Sequence, residues 1–94
     1  MRYELAFHPD ALDEWRRLDK AVAEQLKKKL AERLANPVLP SARISGGVDL
    51  YKIKLRTVGF RLVYQVQGKL LTVLVLSVGK RERNAAYKAA LGRL

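Results

Sequence analysis

The chain has 94 residues, with nineteen Lys and Arg against nine Asp and Glu, one histidine, no cysteine and a net charge of +10. That length builds one modest core, and the chain has no disulfide, thiolate metal site or histidine-cluster metal site to brace it or do chemistry. No signal-peptide pattern opens it and no apolar run is long enough to span a bilayer, so a cytoplasmic protein without a membrane partner is expected.

Residues 2–7 alternate, with Tyr3, Leu5 and Phe7 on one side, which predicts a strand. Pro9 then sits where a first helical position belongs, and Asp10, Asp13 and Glu14 suit a helix N-terminus. His8 reads as a surface or capping residue. Ala11, Leu12, Trp15 and Leu18 give this short helix its apolar stripe, with Trp15 as an anchor between helix and sheet. Asp19 is placed to cap a second helix, in which Val22, Leu26, Leu30 and Leu34 recur at i+4 until Asn36-Pro37 stops it. Lys27, Lys28 and Lys29 on that helix read first as a solvated face and second as a contact surface. Residues 37–49, with Pro37, Pro40, Gly46 and Gly47, read as loop with a short extended piece at 42–44.

The most informative stretch follows. In residues 50–56 Tyr51, Ile53 and Leu55 face one way, and Lys52, Lys54 and Arg56 the other. In residues 60–66 Phe60, Leu62, Tyr64 and Val66 share a face, opposite Arg61, Val63 and Gln65. Only an even number of loop residues puts both apolar sets on one side of a hairpin. Val58 is β-branched and resists the positive φ of a two-residue primed turn, so a four-residue loop over 56–59 is expected. That register sets Lys54 opposite Arg61, with Lys52 beside them. Directly opposed like charges destabilise a sheet, which implies an anion to neutralise them. Residues 70–78 are apolar on both faces, as in a covered central strand that Gly79 ends. Residues 80–83 lead into a last helix with Ala86, Tyr87, Ala90, Leu91 and Leu94 as its stripe. The expected fold class is α+β: a small antiparallel sheet, two N-terminal helices packed on it and a short C-terminal helix, in one domain over residues 1–94.

Charge is unevenly spread. Residues 1–26 carry six acids and four bases, whereas residues 27–94 carry fifteen bases and three acids. Such a balance points to nucleic acid, an anionic membrane or an acidic partner, and the membrane reading is weakest because the bases lie on strands. There is no Gly-rich phosphate loop, no pair of carboxylates near the basic strands, and no Ser or Cys beside a His. What remains is a cation cluster, Lys52, Lys54, Arg61 and Arg81, with Tyr87 one helical step away. Such a group can grip a phosphodiester and stabilise the added charge of a pentavalent transition state. RNA carries its own nucleophile in the 2′-OH, so cleavage needs only a weak base and charge stabilisation. Crowding by Lys52 and Arg61 would lower the pKa of Lys54 and make it a base. On these residues alone, plain backbone binding ranks ahead of catalysis. Tyr87 lies on the helix stripe, and on these residues alone core packing explains it better than chemistry.

Four motifs shift that balance: Glu-Gln-Leu-Lys-Lys-Lys-Leu at 24–30, Tyr-Lys-Ile-Lys-Leu-Arg at 51–56, Arg-Leu-Val-Tyr-Gln-Val at 61–66 and Ser-Val-Gly-Lys-Arg-Glu-Arg at 77–83. In order and spacing, nearly end to end, the chain resembles the RelE toxins of bacterial toxin–antitoxin pairs. The resemblance implies a metal-independent, cofactor-free, ribosome-dependent endoribonuclease that cuts mRNA in the ribosomal A site between the second and third codon positions. It places Lys52, Lys54, Arg61, Arg81 and Tyr87 on the active site. Lys54 would be the base, Lys52 and Arg61 would hold the phosphate, and Tyr87 would position the RNA. Arg81 would stabilise transition-state charge, because a guanidinium with a pKa above about 12 is a poor proton donor. Lys27, Lys28, Lys29, Arg43, Arg56, Lys80 and Arg83 would contact RNA or ribosome. Partners implied are the 70S ribosome, mRNA and a RelB-like antitoxin, in a hetero-oligomer where acidic or amphipathic segments neutralise the cleft or displace the last helix. The family's basic residue in the loop before the hairpin is Ser45 here, which implies weaker contact with ribosomal RNA. Two other outcomes are a ParE-like gyrase inhibitor and a non-catalytic RNA- or ribosome-binding module.

Overall fold

The computed structural model describes residues 2–82 and 84–94. The elements are β1 (Glu4–Phe7), α1 (Pro9–Arg16), α2 (Lys20–Ala35), β2 (Leu50–Leu55), β3 (Phe60–Gln67), β4 (Thr72–Lys80) and α3 (Ala85–Gly92). The Nδ1 of His8 caps α1 by accepting from the Asp10 N–H at 3.1 Å, with Pro9 as first helical residue. Asp19 holds the N-cap position of α2 but makes no capping bond through its side chain; its carbonyl accepts from the Ala23 N–H at 2.9 Å.

The four strands form one sheet in the order β1-β4-β3-β2. β2, β3 and β4 are antiparallel neighbours, as expected, but β1 joins β4 in parallel, pairing Leu5 with Val73 and Phe7 with Val75. The sheet is therefore mixed. Alternation decides which residues face the core and is silent on strand direction, which is set by where the intervening chain returns. The central position of β4 agrees with its apolar character on both faces.

Helices α1 and α2 cover one face, where Ala11, Val22, Leu26 and Leu30 pack on Tyr51, Ile53, Leu62, Tyr64 and Val75. Trp15 is partly buried there and meets Phe7 edge-on, with ring centroids 5.5 Å apart. Helix α3 covers part of the other face, where Ala86 and Ala90 meet Leu50, Val63 and Leu76. A bulge aids this docking: Val63 pairs with Ser77 and Tyr64 with Val75, leaving Leu76 as the extra residue. Leu76 and Ser77 are thereby both turned to α3, and the Ser77 hydroxyl donates to the Ala86 carbonyl at 2.6 Å.

Three boundaries differ from expectation. Residues Gly68–Leu70 form a 3-10 turn and Leu71 takes φ +48, so β4 starts at Thr72 and Leu70 is exposed. The apolar pair there closes a turn and does not extend the strand. β4 also continues through Gly79 to Lys80, which pairs with Phe60. The α3 stripe narrows to Ala86, Tyr87 and Ala90, with Leu91 and Leu94 exposed.

Beyond the end of β1, the edge of β4 away from β3 has no strand beside it among the described residues, and two side chains take over. Glu14 accepts from the Val78 N–H at 3.1 Å, and Arg93 donates to the Leu76 carbonyl at 2.8 Å. The two side chains are joined by a bidentate pair at 2.8 and 3.0 Å. Burial alone would raise the Glu14 pKa, but the hydrogen bonds from Arg93 and Val78, with the charges of Arg93 and Arg17, hold it below its ordinary value. The pair fastens the C-terminal end of α3 to α1. None of the helices, among the described residues, is long and apolar enough to cross a membrane.

Candidate active site

The β2–β3 loop spans residues 56–59, and Gly59 supplies the positive φ (+68) that closes it. Its N–H donates to the Leu55 carbonyl at 2.8 Å, and its carbonyl accepts from the Arg81 N–H at 2.7 Å. The second bond carries the β3–β4 pairing one step past Lys80 and holds the Arg81 backbone against the hairpin tip. Across the sheet, Lys54 pairs with Arg61, and Arg61 with Gly79. Cross-strand partners share a face, so this row crosses the side that carries α3. Gly79, with no side chain, leaves its end of the row open.

Lys54, Arg56, Arg61 and Arg81, with Phe60, line a cleft of about 270 Å³. Among the described residues Arg61 is the one of these cations with a side-chain hydrogen bond. Its Nη1 donates to the Asn84 Oδ1 at 3.0 Å, and its guanidinium lies 4.8 Å from the centroid of the Tyr87 ring. Asn84 precedes α3 with φ +57, a left-handed conformation that asparagine tolerates, and spends its side chain on Arg61 rather than on capping the helix. The Arg61 Nε and the Tyr87 hydroxyl are buried without a partner among the described residues. Buried donors left this way are uncommon and mark places where a ligand can complete the bonding. Lys54 is exposed, and its pKa is lowered, first by the charge of Lys52 and then by desolvation and by Arg61, Arg56 and Arg81.

Among the described residues no carboxylate reaches this cluster. Among the described residues Arg93 is the one Lys or Arg paired with an acid, through Glu14 and Asp10. Nor does any group of three or more His, Cys, Asp or Glu there stand close enough to hold a metal ion.

The other candidates divide. Lys52 lines a second recess of about 210 Å³ at the β2 edge, together with Lys54 and Arg56. Arg43 is exposed beside that edge, where residue 43 bridges to Tyr51. Lys80 borders a different depression with Glu14, Arg17 and Asp19. Lys27, Lys28 and Lys29 are exposed on α2, which packs on the opposite face of the sheet from α3, so the fold does not bring them to the cleft. Arg83 lies outside the described residues.

Two participants in this geometry escape a reading of the sequence. Asn84 looks like a simple helix-start residue. Arg33 on α2 bonds to the β2 backbone and lines the second recess. Its signal was present: it follows Leu26 by seven and Leu30 by three, a cation on the stripe that should be apolar.

Comparison with known proteins gives a consistent result. A family profile described as the ParE toxin of the type II toxin-antitoxin system parDE matches residues 5–85. The chain is 51% identical over all 94 residues, covering 99% of the relative, to the mRNA interferase toxin RelE of Escherichia coli K12. Among solved structures it is similar to a free double-arginine mutant of E. coli RelE (TM-score 0.92, 49% identity, 100% of this chain and 99% of that one). The same mutant bound to a peptide of the antitoxin RelB matches with a TM-score of 0.84, at the same identity and coverage.

Proposed function

This chain belongs to the ParE toxin family of type II toxin–antitoxin systems, and from that premise we propose that it is the toxin of such a pair and a ribosome-dependent endoribonuclease that cuts mRNA in the ribosomal A site. The observation that carries the reading is the cleft itself: Lys54, Arg56, Arg61 and Arg81 face one recess with no acid among the described residues to neutralise them, in a chain half identical over its full length to an mRNA interferase. Structural cations seek carboxylates, and cations kept unpaired in a cleft suit a ligand phosphate.

In the mechanism this supports, the RNA 2′-oxygen attacks the adjacent phosphorus and gives its proton to Lys54, the 2′-O–P bond forms, and the P–O5′ bond breaks. The products are a 2′,3′-cyclic phosphate and a 5′-hydroxyl, whose proton comes from solvent. Lys54 must be neutral to accept the proton, and its crowding by Lys52 and the arginines enlarges that neutral fraction. Arg61, held by Asn84 and the Tyr87 ring, presents a fixed charge to the phosphate, and Arg81 meets the charge that develops as the bond breaks. Tyr87 positions the RNA, and Lys52 adds positive potential. The whole chain is read as one toxin domain. It acts in the cytoplasm, where ribosomes and mRNA are, and pairs with a RelB-like antitoxin in a hetero-oligomer.

A second reading, inhibition of DNA gyrase, is favoured by the ParE description of the matching profile. One experiment separates the two. Purified protein is added to a defined mRNA, alone and on programmed 70S ribosomes, and new 5′ ends are mapped by primer extension. Ends within the A-site codon are expected only when ribosomes are present. No cleavage in either case, from folded protein, overturns the nuclease reading.

A further inference from the structure

The recess at the β2 edge has a feature that the cleavage cleft does not need. Arg33 sits on the buried stripe of α2 and is itself partly buried. Taking a guanidinium out of water is costly unless an acid or several acceptors compensate. Both of its hydrogen bonds leave from Nη1, to the Lys52 carbonyl and to the Tyr64 hydroxyl, each at 3.0 Å. Its carbon lies 5.8 Å from the centroid of the Tyr64 ring. Tyr64 in turn donates to the Pro37 carbonyl at 2.8 Å, and burial raises its pKa against the opposing effect of Arg33, so it stays neutral. No carboxylate lies within 4 Å of Arg33 among the described residues.

Every partner of Arg33 is therefore neutral. One nitrogen is pinned by two acceptors, which orients the guanidinium and, among the described residues, leaves its other donors uncommitted. That is a preorganised fork of the kind that binds phosphate oxygens in pairs. Around it stand Lys52, Lys54, Arg56 and the exposed Ser41 in a space of about 210 Å³. Lys54 and Arg56 also line the cleavage cleft, so the two recesses are neighbours across these side chains.

We propose that the β2-edge recess is a second phosphate subsite, in which Arg33 binds an RNA backbone phosphate flanking the scissile one. The proposal rests on the endoribonuclease reading above. Arg33 would fix the register of the RNA, so that the 2′-OH to be deprotonated lies at Lys54 and not one nucleotide away.

The test is a cycle of protein and RNA changes on programmed ribosomes. mRNAs carry a single uncharged methylphosphonate at one of the two phosphates flanking the cleavage site, and cleavage by the wild-type chain is compared with Arg33→Met. Met keeps the apolar stripe and removes the charge. At one flanking position the modification is expected to slow the wild type by about tenfold or more, the size of one charged hydrogen bond. Arg33→Met is expected to lose a similar factor on unmodified RNA and nothing further on that modified RNA. Losses that multiply at both positions overturn the proposal, as does an Arg33→Met rate equal to wild type. Should Arg33→Met not fold, Arg33→Lys serves, with a smaller first loss and the same non-additivity expected; multiplying losses there overturn the proposal too. If the wild type fails to cut even unmodified RNA, the nuclease reading falls, an outcome separate from these.

Discussion

Arg61 and Arg93 hold opposite ends of α3, and they do so in opposite ways. Arg93 is paired bidentate with Glu14, reaches the Leu76 carbonyl and is further drawn by Asp10. Its charge is spent inside the protein. Arg61 is held by an amide oxygen and an aromatic face, neither of which carries charge. It is oriented by fewer contacts, yet its field remains available. The difference teaches how one fold makes an arginine structural or functional: a carboxylate partner neutralises, whereas neutral acceptors aim without neutralising. Arg33 follows the second pattern.

The largest effect that would break this comparison is on catalysis. Arg81→Ala removes an exposed cation whose backbone alone is tied to the hairpin, so cleavage is expected to fall by about 10²–10³-fold with an unchanged melting temperature. Unaltered cleavage by a folded variant would remove Arg81 from the site. Next comes stability. Arg93→Ala strands the partly buried Glu14 carboxylate and the Leu76 carbonyl, and is expected to cost about 1–3 kcal/mol in urea denaturation. Loss of cleavage beyond the unfolded fraction would show that Arg93 is not merely structural.

The two regions should also titrate differently. The folded-state pKa of Glu14 is lowered from 4.5, so the stability it adds is fully present above that value and is lost as pH falls through the lower one. In Arg93→Ala this acid-side loss should shrink. At the other end of the scale, Lys54 is lowered from 10.5. If it is the base, the single-turnover rate rises with pH and levels once pH passes the lowered pKa. A wild-type rate independent of pH across the neutral range would deny Lys54 that role. The smallest effect is expected of Tyr87→Phe. It keeps the ring beneath Arg61 and removes only a hydroxyl that has no partner among the described residues, so cleavage should fall by about two- to tenfold, and Tyr87→Ala by more.

Much of this molecule is legible in its residues taken locally. The period-two pattern sets the faces of β2 and β3, and loop parity with the β-branched Val58 sets a four-residue loop and the Lys54–Arg61 pairing found in the fold. Helix stripes, the Pro9 start and the Asn36-Pro37 stop follow from backbone chemistry that needs no distant partner. That Lys54 and Arg61 share a polar face was also legible, because a strand's polar face is determined as soon as its apolar face is; that Arg56 lines the cleft while Lys52 lines the neighbouring recess was not.

What local pattern left open depends on segments far apart in the chain. Alternation carries no direction, so the parallel β1–β4 pairing emerges only in the assembled sheet. Lys27, Lys28 and Lys29 look as basic as Lys52 and Lys54, and only the position of α2 on the opposite face separates them from the cleft. Arg33 meets Tyr64 across 31 positions, and Arg93 meets Glu14 across 79. Sequence alone determined which side chains carry charge and which face of each element they occupy, since those follow from composition and backbone periodicity. The tertiary structure decided which of those charges meet an acid and which stay unpaired in a cleft, because Coulomb interactions depend on distance in space and not on order along the chain.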